Sequence, residues 1–228
     1  MKKFILFTII VLSICLISLP VVADDKQIPV EKMRGGGGFQ IGSIYLPLED
    51  INTYLQDNNF ETFAENTILF GGGGIGGKKD GYRIGGYGMG GSQKVKGDTS
   101  DQEAVLSIGY GGCLVEKGIY TGKNMDISFG SMIGGGGLEL DITHDKPSSV
   151  EEGINCPYGI HLVKIFFALQ PRANLHYQFA PSMGIDLSVG YLITYDFGEE
   201  WKIGEQTVDG PMENFAGPTI GMKYSFGF

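Results

Sequence analysis

A strict two-residue alternation runs through the last stretch of this 228-residue chain, from Asn214 to Phe228. Ile220, Met222, Tyr224, Phe226 and Phe228 are apolar, and Thr219, Gly221, Lys223, Ser225 and Gly227 between them are small or polar. Period two is the side-chain repeat of a β-strand, so one face of this segment is apolar and the other is not. A strand that ends a chain leaves a row of unpaired amide and carbonyl groups unless another strand covers it. Pairing with the first strand, which closes a barrel, is the simplest way to remove that edge.

Related patterns recur near residues 36–46, 66–77, 81–95, 103–116, 124–141, 160–178 and 184–196, which with 214–228 predicts eight strands. In the seventh, Ile185, Leu187, Val189, Tyr191, Ile193 and Tyr195 share one face, opposite Asp186, Ser188, Gly190 and Thr194, with Leu192 the one misfit. In the sixth, Ile165, Phe167, Leu169, Leu175 and Tyr177 oppose Lys164, Gln170, Arg172, Asn174 and His176. The fourth sets Leu106, Ile108, Tyr110 and Leu114 against Ser107, Gly109, Gly111 and Cys113. In a water-soluble barrel such a pattern means an apolar core and a wet exterior. In a membrane barrel it means lipid outside and a polar lumen inside. Period alone leaves both open.

The connections alternate in length. The stretches 47–65, 96–102, 142–159 and 197–213 are long or moderate, and 78–80, 117–123 and 179–183 are shorter. The long stretches are acidic: 47–65 carries Glu49, Asp50, Asp57, Glu61 and Glu65 with no Lys or Arg, whereas Lys78, Lys79, Lys117 and Lys123 fall in the short turns. After Pro47, the spacing of Leu48, Ile51 and Leu55 predicts a short amphipathic helix over 48–57, with Glu49 and Asp50 in the first turn, where the helix dipole favours acids.

At the other end, Lys2 and Lys3 precede an apolar run from Phe4 to Leu19, and Val21-Val22-Ala23 offers a small residue before Asp24. This reads as a secretory signal peptide over 1–23, followed by a leader over 24–34 and a single barrel domain over 35–228. Pro20 ends the run short of the roughly 20 apolar residues that an anchoring helix needs. The formal charge of −9 becomes −11 without Lys2 and Lys3, which argues against nucleic acid as a partner.

The signal peptide, the alternating strands, the loop rhythm and the ending Tyr224-Ser225-Phe226-Gly227-Phe228 together resemble small eight-stranded bacterial outer-membrane β-barrel proteins. The resemblance is to their general architecture, over the whole mature chain. It implies an all-β, closed antiparallel up-and-down barrel in the outer membrane, with Phe228 as its barrel-closing C-terminal residue. Implied partners are membrane lipid and the barrel-assembly machinery, engaged through the C-terminal strand. The expected function is non-enzymatic, with acidic surface-exposed loops in an anchoring, adhesive or envelope-structural role. The alternative is a soluble periplasmic or secreted barrel that binds an apolar small ligand. Under the membrane reading, Ile185, Leu187, Val189, Tyr191, Ile220, Met222, Tyr224 and Phe226 face lipid.

Glycine supplies 38 residues, well above the usual level of about 7%. It clusters in 35–38, 71–77, 85–91 and 134–137, beside alternating apolar residues, and is expected where the wall curves tightly. The run from Gly72 to Lys79 nearly makes a phosphate-binding loop, but Lys79 stands where Ser or Thr is required and Asp80-Gly81 makes a turn instead of a helix. No catalytic motif and no cofactor motif is found. His144 with Asp141 and Asp145 is the one candidate metal group, and a solvated loop is the plainer reading. Cys113 and Cys156 are expected at opposite ends of the barrel, too far apart to bridge.

Strands six and seven should form a hairpin about Pro181-Ser182-Met183. Two registers keep inward residues opposed, and either one brings His176 close to Asp186. A lone buried carboxylate is costly. A structural network of Arg172, His176, Asp186 and Lys223 is therefore expected in the lumen, with no catalytic residue among them.

Overall fold

The computed structural model describes residues 33–99, 101–144, 149, 151, 159–196, 201–208, 210–212 and 214–227. In chain order the elements are β1 (Met33–Tyr45), α1 (Glu49–Asp57), β2 (Asn66–Lys78), β3 (Tyr82–Lys96), β4 (Glu103–Thr121) and β5 (Met125–Thr143). There follow β6 (Gly159–Ala180), β7 (Met183–Tyr195), the short β8 (Trp201–Ile203) and β9 (Gln206–Val208), and β10 (Ala216–Gly227). Each long strand pairs antiparallel with its neighbours, and β10 pairs with both β7 and β1. No edge is left among these eight strands, so the wall is a closed antiparallel barrel. Register partners on the inner face pass from Gly36 through Ile75, Gly85, Leu114 and Met132 to Gln170, and all belong to one spiral row. A closed barrel requires such a stagger.

The strands differ in length. β1, β2, β7 and β10 run 12 to 13 residues, whereas β4 and β5 have 19 and β6 has 22. All share the end with tight turns, here the turn end. The surplus therefore projects at the opposite, loop end. Tyr195 closes β7 opposite Phe167, so residues 159–166 of β6 continue beyond it, and Val163 pairs with Lys202 of β8 instead. β4 also extends past the anticipated end at residue 116, through Ile119 to Thr121, with a register shift between Gly118 and Tyr120. A lysine–glycine pair that reads as a turn is here a bulge within the ladder.

Helix α1 closes the loop end. Leu48, Ile51 and Leu55 are fully buried. The Asn52 side-chain amide donates to the Phe63 carbonyl at 3.0 Å, and the Phe63 amide donates to Asn52 Oδ1 at 2.9 Å. This ties the helix to the returning loop. Asn59, at φ 61°, ends it in the left-handed conformation that asparagine tolerates. Around it Leu106, Leu138, Leu140, Leu162, Phe166 and Trp201 form an apolar interior.

The apolar face of β4 points inward, with Ser107, Gly109, Gly111 and Cys113 on the outside. This is the reverse of the arrangement that a membrane barrel with a wholly polar lumen requires. Glycine appears on both faces for different reasons. On the concave face the strands crowd: a Cβ at Gly38 would lie 1.9 Å from the Tyr224 carbonyl oxygen, and at Gly134 2.0 Å from that of Gly111. On the convex face Gly88 and Gly109 would meet nothing nearer than 3.6 Å and 4.0 Å.

Candidate functional site

The inward positions near the turn end are charged. Arg34 of β1 donates from Nη1 to Asp126 Oδ1 at 2.5 Å and from Nη2 to Asp186 Oδ1 at 2.6 Å, linking β5 to β7 across the lumen. Arg83 of β3 reaches the same Asp126 oxygen at 2.8 Å and caps the β2–β3 turn by donating to the carbonyls of Lys78 and Lys79. Asp186 also accepts from Asn174 Nδ2 at 3.1 Å and lies 3.2 Å from His176 Nδ1. Lys223, its register partner on β10, stands 3.7 Å from Asp186 Oδ2. Higher in the lumen, Arg172 Nε lies 3.6 Å from Glu116 Oε1, and its guanidinium sits 4.8 Å over the Tyr87 ring. Glu116 accepts from Ser128 Oγ at 2.9 Å.

Every one of these groups is at least nine-tenths buried except the side chains of His176 and Lys223, which are 13% and 11% exposed. Desolvated charges persist only when paired and hydrogen-bonded, and the shared carboxylates Asp126 and Asp186 meet that condition by each taking more than one cation. The result is a cross-brace between opposite walls. No nucleophile with an adjacent base is set up by these hydrogen bonds.

Of the four lumen residues read from the sequence, His176, Asp186 and Lys223 meet at one carboxylate, in the register that opposes His176 to Asp186. Arg172 is also inward but turns to Glu116 and Tyr87. Four partners were missed: Arg34, Arg83, Glu116 and Asp126. The sequence reading places Arg34 in the leader over 24–34, yet β1 begins at Met33. Glu116 and Arg83 carried only a relative signal: each shares a face with Leu114 or Gly85, and period two does not say which face is inward.

The eight residues read as lipid-facing all lie on the convex face, and Leu187, Val189, Tyr191, Ile220, Met222, Tyr224 and Phe226 are exposed large apolar residues. Phe39, Phe70, Tyr82, Phe129, Tyr177 and Phe179 join them on other strands. Phe228 lies outside the described residues. His144 packs edge-on against Phe60, and Asp141 instead bonds His161, at 2.5 Å. Asp145 is not described, and no cluster of three metal-ligating side chains occurs among the described residues. Cys113 is a free thiol on the convex face, whereas Cys156 falls outside the description.

Fold and lumen together define a class: small closed barrels of eight antiparallel strands with a side-chain-filled interior and an apolar belt. No family model matches this sequence, and no curated protein matches it. Among solved structures, it is similar to Ail, the attachment invasion locus protein of Yersinia pestis, in complex with the heparin analogue sucrose octasulfate. That match has 11% identity, covers 86% of this chain and 99% of Ail, and has a TM-score of 0.48. A second structure of Ail matches at 12% identity over 86% of this chain and 98% of that one, with a TM-score of 0.41. The outer membrane protease OmpT of Escherichia coli matches at 7% identity over 90% of this chain and all of that one, with a TM-score of 0.39.

Proposed function

We propose that this protein is an exported outer-membrane barrel without enzymatic activity, whose loop end meets the cell exterior in an anchoring, adhesive or envelope-structural role. The observation that carries this reading is the belt of exposed large apolar side chains around the convex face. Ile220 and Val189 are 63% and 57% exposed, and Phe39, Tyr82 and Phe129 exceed half. A soluble monomer rarely exposes a contiguous apolar patch of more than a few hundred Å². Tyr82, Tyr120, Tyr177, Phe179, Tyr224 and Phe226 gather toward the turn end, where an aromatic girdle at the membrane interface belongs.

In this orientation Ile185, Leu187, Val189, Tyr191, Ile220, Met222, Tyr224 and Phe226 contact lipid. The brace of Arg34, Arg83, Asp126, Asp186, His176 and Lys223 is structural, and the C-terminal strand is the segment the barrel-assembly machinery engages. The signal peptide over 1–23 delivers the chain. The soluble, ligand-binding alternative is disfavoured by the interior. Side chains fill its apolar half, and Trp201, Leu138 and Leu140 are at most 1% exposed. Fractionation of cells expressing the full chain supplies the test. The protein should sediment with outer membranes, resist alkaline extraction and migrate differently on gels before and after boiling. Recovery in the soluble periplasm would overturn the proposal.

A further inference from the structure

A cavity of about 40 Å³ opens at the turn end, beneath the charged brace. A single water needs roughly 10–15 Å³ on this measure, so the space admits a few waters or one small headgroup. Among the described residues, the buried lumen charges toward this end are Arg34, Arg83, Arg172 and Lys223 against Glu116, Asp126 and Asp186. Each cation has a carboxylate within 4 Å, but the carboxylates are shared and the group carries a net charge of +1. Lys79 and Lys123, in the β2–β3 and β4–β5 turns, line the mouth and add two more. Asp126, the carboxylate on the cavity wall, is already held by two guanidiniums. Lys223 approaches Asp186 only to 3.7 Å, beyond hydrogen-bond range. Ser225, 8% exposed and on the same wall, has a buried hydroxyl with no hydrogen-bond partner.

Lys79, Lys123, Lys223 and the unpartnered hydroxyl of Ser225 therefore line one space from three elements, and the one carboxylate lining it among the described residues, Asp126, is already engaged. Water can satisfy the hydroxyl but cannot neutralise the excess charge. An ionised oxyanion does both, through charge-assisted hydrogen bonds. We propose that the turn-end cavity is a phosphate-binding site, formed by Lys79, Lys123, Lys223 and the hydroxyl of Ser225. Donors arriving from several directions suit a tetrahedral phosphate better than a planar carboxylate. The phosphate is either the free ion or a group carried on a larger molecule, since the mouth is open. The cavity has this form whether lipid or water surrounds the wall.

The test uses the full mature chain folded in octyl glucoside, a detergent without phosphate, at constant ionic strength. Inorganic phosphate and phenyl phosphate are titrated separately, with phosphorus NMR line width and the unfolding temperature as readouts. Saturable broadening and a rise in unfolding temperature are expected. The Lys79→Gln/Lys123→Gln double variant, altered only at the exposed mouth, should weaken binding at least tenfold, and Ser225→Ala several-fold. Lys223→Met should abolish the phosphate-induced rise, read against that variant's own ligand-free unfolding temperature. Tighter binding of phenyl phosphate assigns the site to a phosphate carried on a larger molecule, and equal or weaker binding to the free ion. The proposal falls if millimolar phosphate gives no saturable broadening. It also falls if the double variant binds as the parent does. If Lys223→Met does not fold, the double variant and Ser225→Ala decide the matter.

Discussion

The two ends of β5 are dressed in opposite senses. Near the turn end Asp126 and Ser128 point into the lumen while Met125, Ile127 and Phe129 point out. Near the loop end Leu138, Leu140 and Ile142 point in while Glu139 and Asp141 point out. The backbone alternation never slips; even-numbered residues face inward throughout. Only the apolar phase changes: Met132 is already an inward apolar residue while Ile133 still faces out, and Gly134–Gly137 beyond them leave both faces without side chains. On β6 only the inner face changes, from Leu162 and Phe166 to Arg172 and Asn174; Lys164 is also inward and the outer face keeps Val163, Ile165 and Phe167. The projecting part of the wall is built like a water-soluble barrel, with core inside and polar groups outside. The lower part has the reverse arrangement, suited to an apolar surrounding. The medium on the convex side decides which face of a strand is apolar, and one strand can pass through two media.

The largest test of this contrast lies in the charged half. Arg34→Ala leaves Asp126 and Asp186 short of their shared cation, and removing one partner from a buried ion pair costs about 3–5 kcal/mol. Denaturant unfolding of the refolded protein should show that loss. A smaller value would mean that water enters the lumen there.

A charge placed on the convex face should separate the two ends directly. Val189→Arg should destabilise the lipid-inserted barrel by about 2–4 kcal/mol if it lies near the bilayer midplane. Glu139→Arg, on the same face at the loop end, should cost under about 0.5 kcal/mol, as surface changes do. Equal costs for the pair in vesicles would break the comparison.

Glycine gives a third contrast, between concave and convex faces. Gly136→Ala would put a Cβ 2.3 Å from the Gly109 carbonyl oxygen and 2.7 Å from the Phe166 ring, and should cost about 1–3 kcal/mol. Gly88→Ala meets nothing nearer than 3.6 Å and should be neutral or stabilising by up to about 1 kcal/mol. Urea midpoints of the two variants check this.

The smallest effect belongs to the Lys94–Glu103 pair, 2.6 Å apart on the outside of the projecting wall. Half of the lysine side chain is exposed, so Lys94→Ala should cost less than about 1 kcal/mol and the difference should vanish in high salt. A larger value would mean that this rim is shielded from water.

Much of the fold was legible because backbone alternation is strict. The eight strands, the short helix and the closure of β10 on β1 all follow from periodicity, loop length and the need to cover edges. The facing of β4 was not legible from period alone: Leu106, Ile108 and Tyr110 read equally well as lipid contacts or as core, and only their burial in the common interior settles it. At the candidate site, His176 and Asp186 could be brought together because both registers allowed by the short β6–β7 turn put them on the inner face within reach of each other. Arg34 and Arg83 could not, since their partners lie 92 and 43 residues away along the chain. Contacts across a lumen leave no mark in local spacing.

The seam between β1 and β10 also sets the order of events in folding. It joins Gly36 to Gly227 and Ile44 to Thr219, so every other strand of the wall lies within the loop it closes. Loop-closure entropy must be met before such distant contacts repay it. The first strand therefore waits, with one side unpaired, until the last has been made. No sub-barrel can form earlier, and a chain cut short before β10 would be left with two bare edges. Such a chain must be kept from folding until synthesis is complete, and its assembly is slow and all-or-none.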